Sequence, residues 1–80
     1  MDRDVLRLLR RARTMNISVC DEKGPWVIKV YYAMDRGFIF LLEKDGRTLN
    51  AILKNPWVSF SIDLNRPDLF VQGSGTVEII

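Results

Sequence analysis

The chain contains no histidine. It therefore lacks the commonest general base at neutral pH and the commonest metal ligand. It has one cysteine, Cys20, which excludes an intrachain disulfide and leaves a structural zinc site without its thiolates. No apolar run approaches the roughly 18 residues that a membrane-spanning helix requires. Neither sign of charge dominates: 12 Lys and Arg against 10 Asp and Glu leave +2, too little to argue for nucleic acid. CxxC, P-loop and GxGxxG motifs are absent, and the Gly-Ser-Gly at 73–75 is too short to cradle a phosphate. Without histidine, Ser18, Ser59, Ser61, Ser74 and Cys20 have no partner to activate them as nucleophiles. The acidic residues fall mostly in turn-like stretches, so no paired-carboxylate site is visible. What remains is a binding domain or the carrier of a reactive cofactor. One free cysteine and no signal peptide lead us to expect a cytoplasmic protein.

Against those absences stands a high apolar content. The chain is 48% hydrophobic over 80 residues, with two Trp, two Tyr and four Phe, and we take residues 1–80 as a single domain. A chain of this size cannot hide that much apolar surface alone. The surplus suggests a homodimer or a natural chain that continues past Ile80.

Residues 2–13 read as a helix, with Val5, Leu8, Leu9 and Ala12 on one stripe, Asp2 and Asp4 at its start and Arg10, Arg11 and Arg13 at its end. Its five arginines could meet nucleic acid or acidic lipid, but the low net charge favours a solvated face. Residues 15–20 alternate, placing Met15, Ile17 and Val19 on one side. "DEKGP" makes a turn into a second strand at 26–33, where Trp26, Ile28, Val30 and Tyr32 share a face read as core or interface. "MDRG" turns into a third strand at 38–43. A short helix follows at about 47–54, with Leu49, Ile52 and Leu53 as its apolar face and Asp45 or Gly46 as its cap. Pro56 stops it and pushes Asn55 out of the helical region. Strand 57–63 alternates with Val58, Phe60 and Ile62 inward, "LNRPD" is a loop, and 69–80 form a long last strand. Gly73 and Gly75 mark a bulge, a sharp bend or the close approach of another backbone. The short turns imply an antiparallel meander. The fold class is mainly β within α+β: a curled antiparallel sheet with an N-terminal helix and one short helix between strands 3 and 4. Five strands barely close a barrel, so an unpaired edge is expected.

One stretch asks for a chemical explanation. In "KDGRTLNAILKNP", Arg47 opens a helix, where the helix dipole already supplies positive charge. An anion bound there would resolve the conflict. Free N–H groups and an adjacent glycine favour a phosphate, with a bidentate contact from Arg47, a hydroxyl from Thr48 and help from Lys44. The plain alternative is a surface arginine.

With these residues in view, the chain from about 15 to 80 resembles the pyridoxamine 5'-phosphate oxidase-like family of flavin mononucleotide (FMN)-binding split barrels. The resemblance rests on "DEKGPWVIKVYYAMDRGFIFLL", then Arg47, "NP" at Asn55–Pro56, "VSFSID" and "GTVEII". It implies a split β-barrel working as a homodimer, with flavin sites at the dimer interface. It also implies that Arg47 holds the flavin phosphate and that the flavin ring lies along Ile28, Lys29 and Val30 and touches Leu41 and Leu42. Thr48 stands where the family commonly has a second cation, which implies weaker phosphate binding. Leu41 and Leu42 replace positions often polar. The carboxy-terminal signature for pyridoxamine phosphate is absent. Relatives of this kind also use the deazaflavin F420 or bind haem, and some have no established reaction. Trp57 could stack on a flavin across the interface or simply pack. Cys20 reads as a small strand residue without redox role. The resulting expectation is an FMN-binding oxidoreductase of unknown substrate. A non-catalytic dimeric domain of the same fold is the alternative, and neither nucleic acid nor membrane is an expected partner.

Overall fold

The alternating and helical patterns fold as they read, with informative shifts at their ends. The computed structural model describes residues 3–64 and 69–80. The element order is α1 (Arg3–Arg11), β1 (Thr14–Asp21), β2 (Gly24–Met34), β3 (Phe38–Phe40), α2 (Arg47–Lys54), β4 (Trp57–Asp63) and β5 (Phe70–Thr76). All pairings are antiparallel, in the spatial order β3-β2-β1-β4-β5. The fold is an α+β, mainly-β half-barrel, with one helix before the sheet and one between its third and fourth strands. The loop expected at 64–68 lies mostly outside the described residues, as does Asp2.

β1 is the central strand because it is the most strictly alternating. Met15, Ile17 and Val19 are buried while their neighbours reach the opposite face. Against them pack Leu8, Leu9 and Ala12 from the first helix and its exit, Val30, Ala51, Ile52 and Ile62, forming one core. The core draws on five elements, which is how so short a chain fixes its topology.

The sheet curls strongly. Phe38 of β3 and Phe60 of β4 stand on strands separated by two others, yet their ring centroids are 5.4 Å apart. Tyr32 extends this cluster, 5.2 Å from Phe38 and edge-on to it, and its hydroxyl donates to the Leu9 carbonyl at 2.7 Å. Gly73 permits the curl on the other side. It pairs with Phe60, and a Cβ there would come within 3.0 Å of the Phe60 ring. The group that comes close at Gly73 is the Phe60 side chain and not another backbone as expected, whereas Gly75 faces open space.

The edges do not meet. β3 and β5 flank an apolar groove of about 510 Å³, with Met15 and Ile17 at its floor and Phe38–Leu42 and Ser74–Ile80 as its walls. Two boundaries differ from expectation. The third strand ends at Phe40 instead of residue 43, and the last at Thr76 instead of residue 80. An apolar run becomes a strand only where a neighbour supplies hydrogen bonds, and the ladder of β2 with β3 stops at the Tyr32–Phe40 pair. Beyond Thr76, Val77 instead donates to the Pro56 carbonyl at 2.9 Å.

The inner face of α2 is also rotated from expectation. Ile52 is buried and Leu49 half-buried, but Leu53 is 64% exposed, and Thr48 and Ala51 take the inward positions. Positions 48, 51 and 52 are as good a helical stripe as 49, 52 and 53. The structure selects the former by tying Thr48 to a side chain on β2.

Candidate functional site

The start of α2 is held by side chains from the β1–β2 hairpin. Asp21 closes β1, and a two-residue tip, Glu22 and Lys23, returns the chain at Gly24, whose φ of +111° suits glycine. The Lys23 backbone N–H donates to Asp21 Oδ1 at 2.9 Å, which fixes the carboxylate locally. Arg47 then donates twice to it, from Nε to Oδ2 at 2.7 Å and from Nη2 to Oδ1 at 3.0 Å. The same guanidinium lies over the Trp26 ring, 4.4 Å from its centroid. Trp26 Nε1–H in turn donates to Thr48 Oγ1 at 3.2 Å. Asp21, Arg47, Trp26 and Thr48 are thus a continuous chain of contacts between hairpin and helix.

This answers the sequence question in part. Gly46 caps α2 without a side-chain hydrogen bond, and the first turn carries no acidic residue. The negative charge that Arg47 requires comes from Asp21, 26 positions earlier. The Arg47 hydrogen bonds hold the Asp21 carboxyl well below the usual range, at about 2, and outweigh the opposing effect of desolvation. The same bonds raise the Arg47 pKa still further.

Beside this network lies a cleft of about 320 Å³, within the range of small-ligand sites, at its lower end. The residues that the family resemblance assigns to the cofactor line it, Ile28, Lys29 and Val30 from β2, Leu41 and Leu42 from the segment after β3, and Arg47 and Thr48 from α2, whereas Lys44, expected to help with a phosphate, does not. Trp26, Glu43 and Gly46 complete the wall. Gly46 suits a tight bend, since a Cβ there would stand 3.2 Å from the Glu43 carbonyl oxygen.

The cleft exists because β3 is short. β2 pairs with β1 from Gly24 to Tyr31 but with β3 only from Tyr32 to Met34. Tyr32 N–H donates toward β1, to the Arg13 carbonyl at 3.1 Å. Strand alternation then directs the N–H and C=O of Lys29 and Val27 to the opposite edge. No strand pairs with that stretch of edge among the described residues. Lys29 therefore reaches the cleft through its backbone while its side chain sits on the exposed face.

These features match the two halves of a flavin nucleotide unequally. Ile28, Val30 and Leu42, all buried or half-buried, form a wall for a flat ring, with free backbone donors and acceptors at its edge. Leu41 is 90% exposed and forms only the rim. At the phosphate end, Thr48 is buried at 7% exposure, its oxygen already accepting from Trp26. Arg47 is already paired with Asp21, so its charge is matched within the chain.

Other residues singled out from sequence fall elsewhere. Trp57 is exposed and does not line the cleft. Cys20 is exposed beside the hairpin turn. Arg7, Arg10 and Arg11 occupy the solvent side of α1. Among the described residues no cluster of His, Cys, Asp and Glu could hold a metal, and no helix is long and apolar enough to cross a membrane. Sequence reasoning missed Asp21, taken only as part of a turn, and Trp26, taken only as core or interface. The signal available was the unmatched arginine, which demanded an anion without saying which.

No family model, no curated protein and no solved structure matches this chain.

Proposed function

We propose that this chain is an FMN-binding module of the split-barrel type, and that the bound flavin serves an oxidoreductase with a small-molecule substrate. The observation that carries this reading is convergence. Three separate segments on different elements, 28–30, 41–42 and 47–48, line one cleft. The resemblance to pyridoxamine 5'-phosphate oxidase-like proteins selected the same residues without reference to a cleft. The flavin, when bound, would supply the electron-transfer chemistry, which the chain's own side chains lack. The protein would contribute the apolar wall of Ile28, Val30 and Leu42, the free edge of β2 and the Arg47 guanidinium. The exposed apolar residues, among them Tyr31, Ile39 and Leu41, support a homodimer.

The test is a flavin titration followed by desalting and an absorbance spectrum. Retained flavin peaks are expected, with binding weakened about tenfold or more when Arg47 becomes Ala, the scale of a lost charge-assisted hydrogen bond. Absence of retained flavin at saturating addition would sink the reading. Retention of F420 or haem in its place would redirect it to those cofactors.

A second reading has its own support. Asp21 already matches the charge of Arg47, as expected of a domain that keeps the fold and binds no flavin. A colourless dimer indifferent to added FMN would establish it.

A further inference from the structure

We propose that Asp21 is a built-in competitor for the anionic end of the ligand, so that filling the cleft requires Arg47 to exchange the Asp21 carboxylate for the ligand's phosphate. This rests on the reading of the cleft as a site for a phosphate-bearing ligand, and adds the residue that sets its affinity.

The geometry supplies each part of an exchange. Asp21 engages the Nε and Nη2 edge of Arg47 with two near-parallel hydrogen bonds, 2.7 and 3.0 Å. That edge is one that a phosphate would use, since carboxylate and phosphate oxygens present similar bidentate spacing to a guanidinium. Asp21 does not depend on Arg47 for its position, because the Lys23 N–H holds it independently. It can therefore release the guanidinium without losing its own place. Trp26 provides the surface on which the change occurs. A guanidinium stacked at 4.4 Å keeps its attraction to the ring while turning in its own plane. The pair is also partly open to water, with side chains 30% and 16% exposed for Arg47 and Asp21. Solvent weakens such a pair, so breaking it is affordable to a ligand bringing greater charge.

Position makes the competition unavoidable. Arg47 lines the cleft beside β2 and also a second hollow that contains Asp21, Lys23 and Lys54. Lys54 is itself drawn toward Glu22, at 3.6 Å. The cation is thus shared between a resident carboxylate on one side and the cleft on the other. With the cleft empty, Asp21 keeps the start of α2 docked on the hairpin. With it filled, the ligand takes that role and Asp21 remains on the Lys23 amide.

The experiment is an FMN titration, followed by quenching of flavin fluorescence, of the parent chain, Asp21→Asn, Asp21→Ser, Arg47→Ala and the Asp21→Asn/Arg47→Ala pair. Circular dichroism confirms that each is folded. Both single Asp21 variants keep an acceptor for the Lys23 N–H and lose the charge. They are expected to bind FMN roughly two- to fivefold tighter than the parent, the effect of freeing one partly exposed cation. The double variant should bind no better than Arg47→Ala. Equal or weaker binding by both Asp21 variants, with Arg47→Ala still impaired, would overturn the competition and leave the flavin site standing, with Asp21 merely positioning Arg47. Tighter binding that survives loss of Arg47 would refute both the exchange and the role of Arg47. Binding by none of the proteins would overturn the flavin reading and this proposal together.

Discussion

Arg47 is where local and tertiary demands meet. A cation at the first position of a helix is disfavoured by the dipole, and the chain answers with a carboxylate from the far end of β1. The depressed pKa of Asp21 makes that contact measurable. Its value falls from 3.8 to about 2 in the folded state, so the folded protein binds this proton less readily than the unfolded chain does. The contribution is complete above the unfolded pKa and is lost as pH falls from about 4 toward 2. We expect the thermal midpoint of the parent chain to exceed that of Arg47→Ala at pH 5. The difference should shrink between pH 4 and 2, read by circular dichroism melts across that window. A constant difference would mean that the pair contributes nothing through charge. A second expectation concerns Trp26. Replacing it by Leu removes both the stacking surface and the donor to Thr48, and should weaken FMN binding several-fold. Titration of the Leu variant beside the parent checks this.

At the scale of elements, strands and helices were legible as types, and their ends and phases were not. The alternation of Met15, Ile17 and Val19, and of Val58, Phe60 and Ile62, gave the inward faces correctly because a period of two has only two phases. α2 had several closely spaced phases, and a single hydrogen bond from Trp26 favours the one with Thr48 inward. The third strand read too long because Leu41 and Leu42 look like strand residues, yet they leave the sheet to reach α2. The closest tolerance in the sheet is at Gly73. Gly73→Ala should cost about 1–3 kcal/mol through crowding of Phe60, with part recovered when Phe60 is shortened to Leu. Urea denaturation of the two variants measures it, and an unchanged midpoint for Gly73→Ala would show that the ring moves freely. Ile62 is fully buried, and Ile62→Ala should cost roughly 2–5 kcal/mol in the same assay.

For the whole molecule, the relevant fact is that the curl stops short of closure. The groove between β3 and β5 and the exposed Ile39, Leu41, Ile79 and Ile80 leave more apolar surface open than a small isolated domain usually carries. We expect sedimentation equilibrium to report a dimer at micromolar concentration, and Leu41→Lys to shift it toward monomer. A monomer at all concentrations would remove the dimer from the proposed function.

The sequence by itself determined the order of elements, the inward faces of β1, β2 and β4 and the existence of an arginine that needed an anion. These follow from chain-local rules: periodicity, turn residues, and the sign of a helix dipole. Only the tertiary structure decided which anion meets Arg47, which face α2 buries and where β3 ends. Each of those depends on groups distant in the chain, as with Asp21 and Arg47, and no local pattern encodes a partner that arrives only when the sheet has curled.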